Sequence, residues 1–250
     1  MRTRMKLLTV GLVLVTAAVA GCSSTTAGPA GAVQDAVAVV PPPLPDGGEQ
    51  PMVAATQGAS CADGGVCVFG DTGPGGGVVF YVASTPFSAP GTACDSNCLY
   101  LETALYDVGG ATAWCAGGPG AASGFYVDAP GTAIGSGYLN TQAMLGTTNS
   151  PPTTICAGGA AQAASTPTGG LTDWYLPAED ELMALYDAMS TYNLTTEYGV
   201  VFGANPPTYW GSTAYSANYA KAYCQNFNMG NPAECDKTQD AAGVHQVRAF

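Results

Sequence analysis

The chain has 250 residues, 6 Lys and Arg against 18 Asp and Glu, one His, and a net charge of −12. That length suits one or two domains. The acidic balance disfavours partners that need clustered Lys and Arg, namely nucleic acid, heparin-like polyanions and anionic lipid surfaces.

The first segment reads as an export leader. Arg2, Arg4 and Lys6 make a positive start, and residues 7–19 form an apolar run too short and wrongly flanked for a stable membrane span. The run ends in Val19-Ala20-Gly21-Cys22, which resembles the lipobox of bacterial lipoproteins. The resemblance implies a signal peptide over 1–21, cleavage before Cys22 and diacylglycerol (palmitate-type chains) on its thiol; a plain secretory signal is the alternative. Further acylation of the new amino group would make the anchor stable, where one chain holds only marginally. The membrane is then a partner through Cys22. The expected location is the outer face of the plasma membrane, or the outer membrane of a two-membrane bacterium. Losing the leader takes Lys and Arg from 6 to 3 (Lys221, Lys237 and Arg248) and the net charge to about −15.

Residues 22–60 are rich in Ala, Gly, Pro, Ser and Thr and hold no aromatic residue. Such a stretch buries too little apolar surface to offset its ordering entropy. It is expected to be a disordered tether, partly stiffened around Pro41-Pro42-Pro43. A single domain is expected over 61–250.

Setting Cys22 aside leaves Cys61, Cys67, Cys94, Cys98, Cys115, Cys156, Cys224 and Cys235. An even count in an exported chain reads as a disulfide framework. Eight cysteines allow 105 connectivities. Proximity favours Cys61–Cys67, Cys94–Cys98 and Cys224–Cys235, which leaves Cys115–Cys156. Cys94-Asp-Ser-Asn-Cys98 also has loose zinc-like spacing, but no second CxxC and no paired histidines accompany it, so no metal is expected. The acid count leaves calcium as an alternative, although no Asp-x-Asp-x-Asp ladder occurs; no cofactor is expected.

Gly70-Asp-Thr-Gly-Pro-Gly-Gly-Gly77 reads as a turn and residues 78–82 as a strand. No Gly-Lys-Ser/Thr follows, and loop precedes strand, so this is not a nucleotide loop. A second strand is expected near 99–105, a strand end at 111–115, a half-turn of helix at 141–145, and helix around 160–164. Two short matches at offsets of 40 and 41 reflect composition, not a repeat. The main helix begins after Pro177. Leu182, Leu185, Tyr186 and Met189 share one face, and Glu179, Asp180 and Glu181 meet the positive end of the dipole. These acids are expected to be solvated. Ala178 stands where a capping Ser or Thr belongs, at an expected cost of about 1 kcal/mol. Residues 219–227 alternate with strand period, 228–232 read as a turn, and 244–250 as a last strand.

Four ordered motifs then line up: Gly70-Asp-Thr-Gly-Pro-Gly-Gly-Gly-Val-Val-Phe-Tyr81; Trp174-Tyr-Leu-Pro-Ala-Glu-Asp-Glu-Leu-Met-Ala-Leu-Tyr186; Tyr209-Trp-Gly-Ser-Thr-Ala-Tyr-Ser216 with Gln225-Asn-Phe-Asn-Met-Gly230; and Val244-His-Gln-Val-Arg-Ala-Phe250. They resemble the C-terminal domain family of the Legionella collagen-like adhesin (Lcl), over most of 65–250. The resemblance implies an α+β, C-type-lectin-like fold: small twisted antiparallel sheets, one or two short helices, the domain ends brought together, and here disulfide staples. The family's namesake binds sulfated glycans. That activity does not transfer to a chain of this charge. Ala178, Gly211 and Lys221 depart from the usual Ser/Thr, Ser and Trp.

The expected function is a cell-surface binding or adhesion module for an uncharged glycan or a protein ligand. Sugar faces stack on aromatic rings, which singles out Trp210, Tyr215, Tyr219 and Tyr223, with Asn226 and Asn228 as polar partners; core packing is the competing role, above all for Trp210. The alternative is a structural or protein-interaction domain of the envelope without a small ligand. An enzyme would need an activated nucleophile and base. The one histidine, His245, lies in an expected strand, so no catalytic residue is assigned.

Overall fold

The structure is a computed structural model that describes residues 59–203, 207–239 and 241–250. The expected leader, Cys22 and residues 23–58 of the expected tether lie outside the described residues. The chain divides into Met1–Ala54 and Ala55–Phe250; every element below belongs to the second unit. In chain order these are β1 (Val78–Ala89), β2 (Asp95–Thr103), α1 (Gly137–Leu145), α2 (Ala160–Ala164), α3 (Glu179–Tyr192), α4 (Leu194–Tyr198), β3 (Thr208–Ala214), β4 (Lys221–Asn226), β5 (Pro232–Asp236) and β6 (Val247–Ala249). The strands form two antiparallel sheets, ordered β1-β2-β6 and β3-β4-β5. The fold is therefore α+β.

β1 runs past its expected end at Val82. It does so by shifting register between Val82 and Phe87, which lets Pro86 sit in a strand where it can donate no ladder bond. The expected last strand is shorter, but the segment around it does more than pair with β2. Val108 donates its N–H to Val244 O, Ala104 to Gln246 O, and Tyr175 to Val247 O. The end of the chain thus threads between distant segments. Phe250 exchanges backbone hydrogen bonds with Tyr100 and packs with it beside Val79 and the Cys61–Cys67 pair.

α3 buries Leu182, Leu185 and Ala188, with Tyr186 and Met189 half-buried at the edge of the same face. Ala178 supplies no side-chain cap, as expected, yet the first turn is not left open. Thr213 Oγ1, from β3, accepts the Glu179 N–H at 3.1 Å. Thr132 O accepts the Asp180 N–H at 2.9 Å. Glu181 turns back and accepts the Ala178 N–H at 2.7 Å. Tertiary contacts thus replace the missing hydroxyl. Asn193, in the left-handed region at φ 51°, ends α3 and starts α4.

The apolar interior has two main parts. One gathers Trp114, Met144, Leu176 and Trp210 around the Cys115–Cys156 bond. The other gathers Leu101, Tyr175, Leu182, Leu185, Tyr209 and Phe227. All four favoured disulfides form: Cys61–Cys67, Cys94–Cys98, Cys115–Cys156 and Cys224–Cys235. Cys94 and Cys98 are spent on each other, which removes the zinc alternative.

Candidate binding surface

The glycine-rich turn does cradle an anion, but the anion belongs to the chain. Gly75 and Gly77 donate their N–H groups to the Glu102 carboxylate at 2.9–3.1 Å. A Cβ on Gly73 or Gly75 would come within 2.5 Å of Glu102 or Trp174 atoms, so only glycine allows this approach. Arg248 Nη1 donates to Glu102 at 3.0 Å and its Nε to Asp173 at 2.6 Å. Burial pushes the Glu102 carboxyl up, against the pull of the Gly75 N–H and the guanidinium. Burial also works against the Arg248 charge, but the Asp173 and Glu102 carboxylates outweigh it and push its pKa up. One of the three cations outside residues 1–21 is thus consumed in architecture.

Glu181 corrects the expectation of a solvated first-turn acid. It is fully buried. Its Oε1 accepts from Gly135 N–H at 2.8 Å and from the Tyr175 hydroxyl at 3.0 Å, and its Oε2 from Ala178. Burial raises its pKa to about 7, although these donors favour the anion. Tyr175 is pushed well above its ordinary value, by burial first and then by Glu181.

His245 is also internal. Its Nδ1 meets Asp107 Oδ1 at 2.8 Å and its Nε2 meets Ala104 O at 2.9 Å. Both ring nitrogens face protein oxygens, so neither points at an open site. Asp107 also accepts from the Gly203 N–H and the Tyr209 hydroxyl.

The predicted ligand residues separate into three groups. Trp210 is a correction: it is 0% exposed, and its indole N–H donates to Thr112 O at 2.7 Å. Trp114 and Trp174 are equally buried, with N–H groups on Gly211 O and Thr168 O. No tryptophan of this chain offers a face to a sugar. Asn226 spends its side-chain oxygen on the N–H groups of Asn228 and Met229, closing the β4–β5 turn. Asn228 is exposed in that same turn.

The tyrosines do face outward. Tyr215 and Tyr223 form an edge-to-face pair with ring centres 5.6 Å apart. The Glu234 carboxylate pushes the Tyr215 phenol up through a hydrogen bond. Tyr223 is raised by partial burial and then by Glu179 and Glu234. Tyr219 is 45% exposed and packs at 5.1 Å on Tyr126, a residue the sequence reading does not single out. The signal for Tyr126 is present as alternation. Tyr126, Asp128 and Pro130 lie outward while Val127 and Ala129 are buried. Partial burial, then Asp128 and Tyr219, push the Tyr126 phenol up, which places the carboxylate beside that ring.

No family model matches the chain, and no curated protein matches it. Among solved structures it is similar to a fimbrial protein from Bacteroides ovatus ATCC 8483. That likeness has a TM-score of 0.45 and 16% identity, and covers 70% of this chain and 44% of the other. The chain therefore spans less than half the length of that protein.

Proposed function

We propose that this chain is an exported, lipid-anchored binding or adhesion module of the cell surface, acting without a catalytic step. Its ligand is an uncharged glycan or a protein. The leader and Cys22 support the anchor. The four ordered motifs support kinship with the Lcl C-terminal family. Small antiparallel sheets, short helices, and Phe250 packed beside Cys61–Cys67 are compatible with a C-type-lectin-like domain. The observation that carries the binding role is two outward tyrosine pairs, Tyr215 with Tyr223 and Tyr219 with Tyr126. Rings at a partly wet surface give large contact area and a polar tip at once. The acidic charge disfavours sulfated ligands. A glycan array and crosslinking on intact cells, both with the full chain, test this. Retention of neutral glycans or of one surface protein, lost in the Tyr215→Ala/Tyr223→Ala variant, is expected. Binding unchanged both in that variant and in Tyr126→Ala/Tyr219→Ala would refute the tyrosine pairs as the contact.

A further inference from the structure

We infer that a cleft beside Tyr126 is a binding site for a neutral saccharide, with Asp128 as the acceptor of its hydroxyl groups. The inference rests on the binding-module reading and adds a place and a ligand class. The cleft measures about 550 Å³ and lies between the end of β1, residues 128–136 and α1. That is within the usual range for small-ligand sites. Its apolar surface comes from Pro90, Pro130 and Leu139, and Leu139 is left 43% exposed. Its polar groups are the Asp128 carboxylate and hydroxyls such as Ser136. Among the described residues, no Lys, Arg or His lines it.

This set of groups selects a ligand by charge. A cleft with one carboxylate and no cation repels phosphate, sulfate and uronate groups. A carboxylate accepts hydroxyl donors strongly and offers two oxygens. An apolar wall suits the C–H face of a pyranose. Tyr126 stands next to Asp128 on the same outward side, so a saccharide held by Asp128 can extend onto the Tyr126–Tyr219 rings.

The wall is also held in place before any ligand arrives. Asn140 is buried and grips Gly131 from both sides: its Oδ1 accepts the Gly131 N–H at 3.1 Å and its Nδ2 donates to Gly131 O at 2.6 Å. Thr213 donates to the same Gly131 carbonyl. Thr132 O is bound by the N–H of Asp180, and the Gly135 N–H by Glu181. Residues 129–135 are thus fastened to α1, α3 and β3. A pre-ordered wall spares the ligand an ordering cost.

The test is calorimetric titration of the full, oxidised chain with glucose, galactose, mannose, N-acetylglucosamine and lactose, then of Asp128→Asn and Leu139→Arg. At least one neutral sugar is expected to bind. Asp128→Asn is expected to weaken it about tenfold or more, the scale of one charge-assisted hydrogen bond. Leu139→Arg is expected to abolish it by filling the cleft, and near-UV circular dichroism checks that this exposed position still folds. If a sugar binds and both variants bind it as wild type does, the cleft assignment falls while the binding module stands. If no sugar in the panel binds the wild-type chain, the cleft assignment falls as well, and the module is left with a protein ligand, which the crosslinking experiment reads separately.

Discussion

Two tyrosine–glutamate pairs among the described residues have opposite fates. Tyr175 and Glu181 are sealed in the interior, where the phenol and two backbone N–H groups converge on one carboxylate. Tyr215 and Glu234 sit at the surface of the β3-β4-β5 sheet, with the phenol open to solvent and its pKa raised by that carboxylate. The chemistry is the same and the surroundings differ. Inside, a polar atom left unmatched is costly, so the pair builds structure. Outside, water can replace each contact, so the same groups are available to a ligand.

That contrast breaks most severely at the internal charges. Arg248→Met leaves Glu102 and Asp173 without their guanidinium in a buried site. It is expected to cost about 3–5 kcal/mol, read as a lower urea midpoint. Glu181→Ala strands the Gly135 and Ala178 N–H groups and the Tyr175 hydroxyl. At about 1–3 kcal/mol for each buried unmatched group, partly relieved by relaxation, a loss of about 3–4 kcal/mol is expected.

Proton linkage sharpens the same point. Glu181 has a folded pKa of about 7 against an ordinary 4.5. The folded state therefore holds this proton more tightly than the unfolded chain. Its contribution is fully present below about pH 4.5 and is lost as pH rises toward 7, a swing of about 3 kcal/mol. Denaturation series across that window are expected to show stability falling with rising pH, and Glu181→Gln to flatten the slope. The smallest effect belongs outside. Glu234→Gln is expected to leave the unfolding midpoint unchanged and to bring the Tyr215 phenol pKa down toward its ordinary range, read by ultraviolet titration.

How much of this is legible in the sequence depends on how far apart the partners lie in the chain. The three short-range disulfides follow from proximity, and the last pair from what remains. The amphipathic face of α3 and the five-residue α2 are visible in local pattern. The start of β5 reads as a turn because of Pro232, and the strand pairs only through β4. α4 escapes local pattern because it continues from α3 through a left-handed Asn193. The burial of Glu181 depends on Gly135, 46 residues away, and that of Arg248 on Glu102, 146 residues away. No local pattern carries those contacts. The alternation expected over 219–227 finds Tyr223 in β4, but Tyr219 lies in the turn before that strand, and Gln225 and Phe227 of the same phase are buried. Local pattern also fails for Trp210, whose neighbours arrive from residue 112 and from the Trp114 cluster. The cleft requires residues 88–90, 128–136 and α1 to be brought together, which only the tertiary structure does.

The most direct test of the division between inner and outer pairs is a carbon-13 spectrum of ring-labelled tyrosines in the full chain, recorded while the best-binding neutral sugar is added. The signals of Tyr126, Tyr215, Tyr219 and Tyr223 are predicted to include those that shift, while that of Tyr175 stays fixed. A shift at Tyr175 with all four outer signals unmoved would contradict the account.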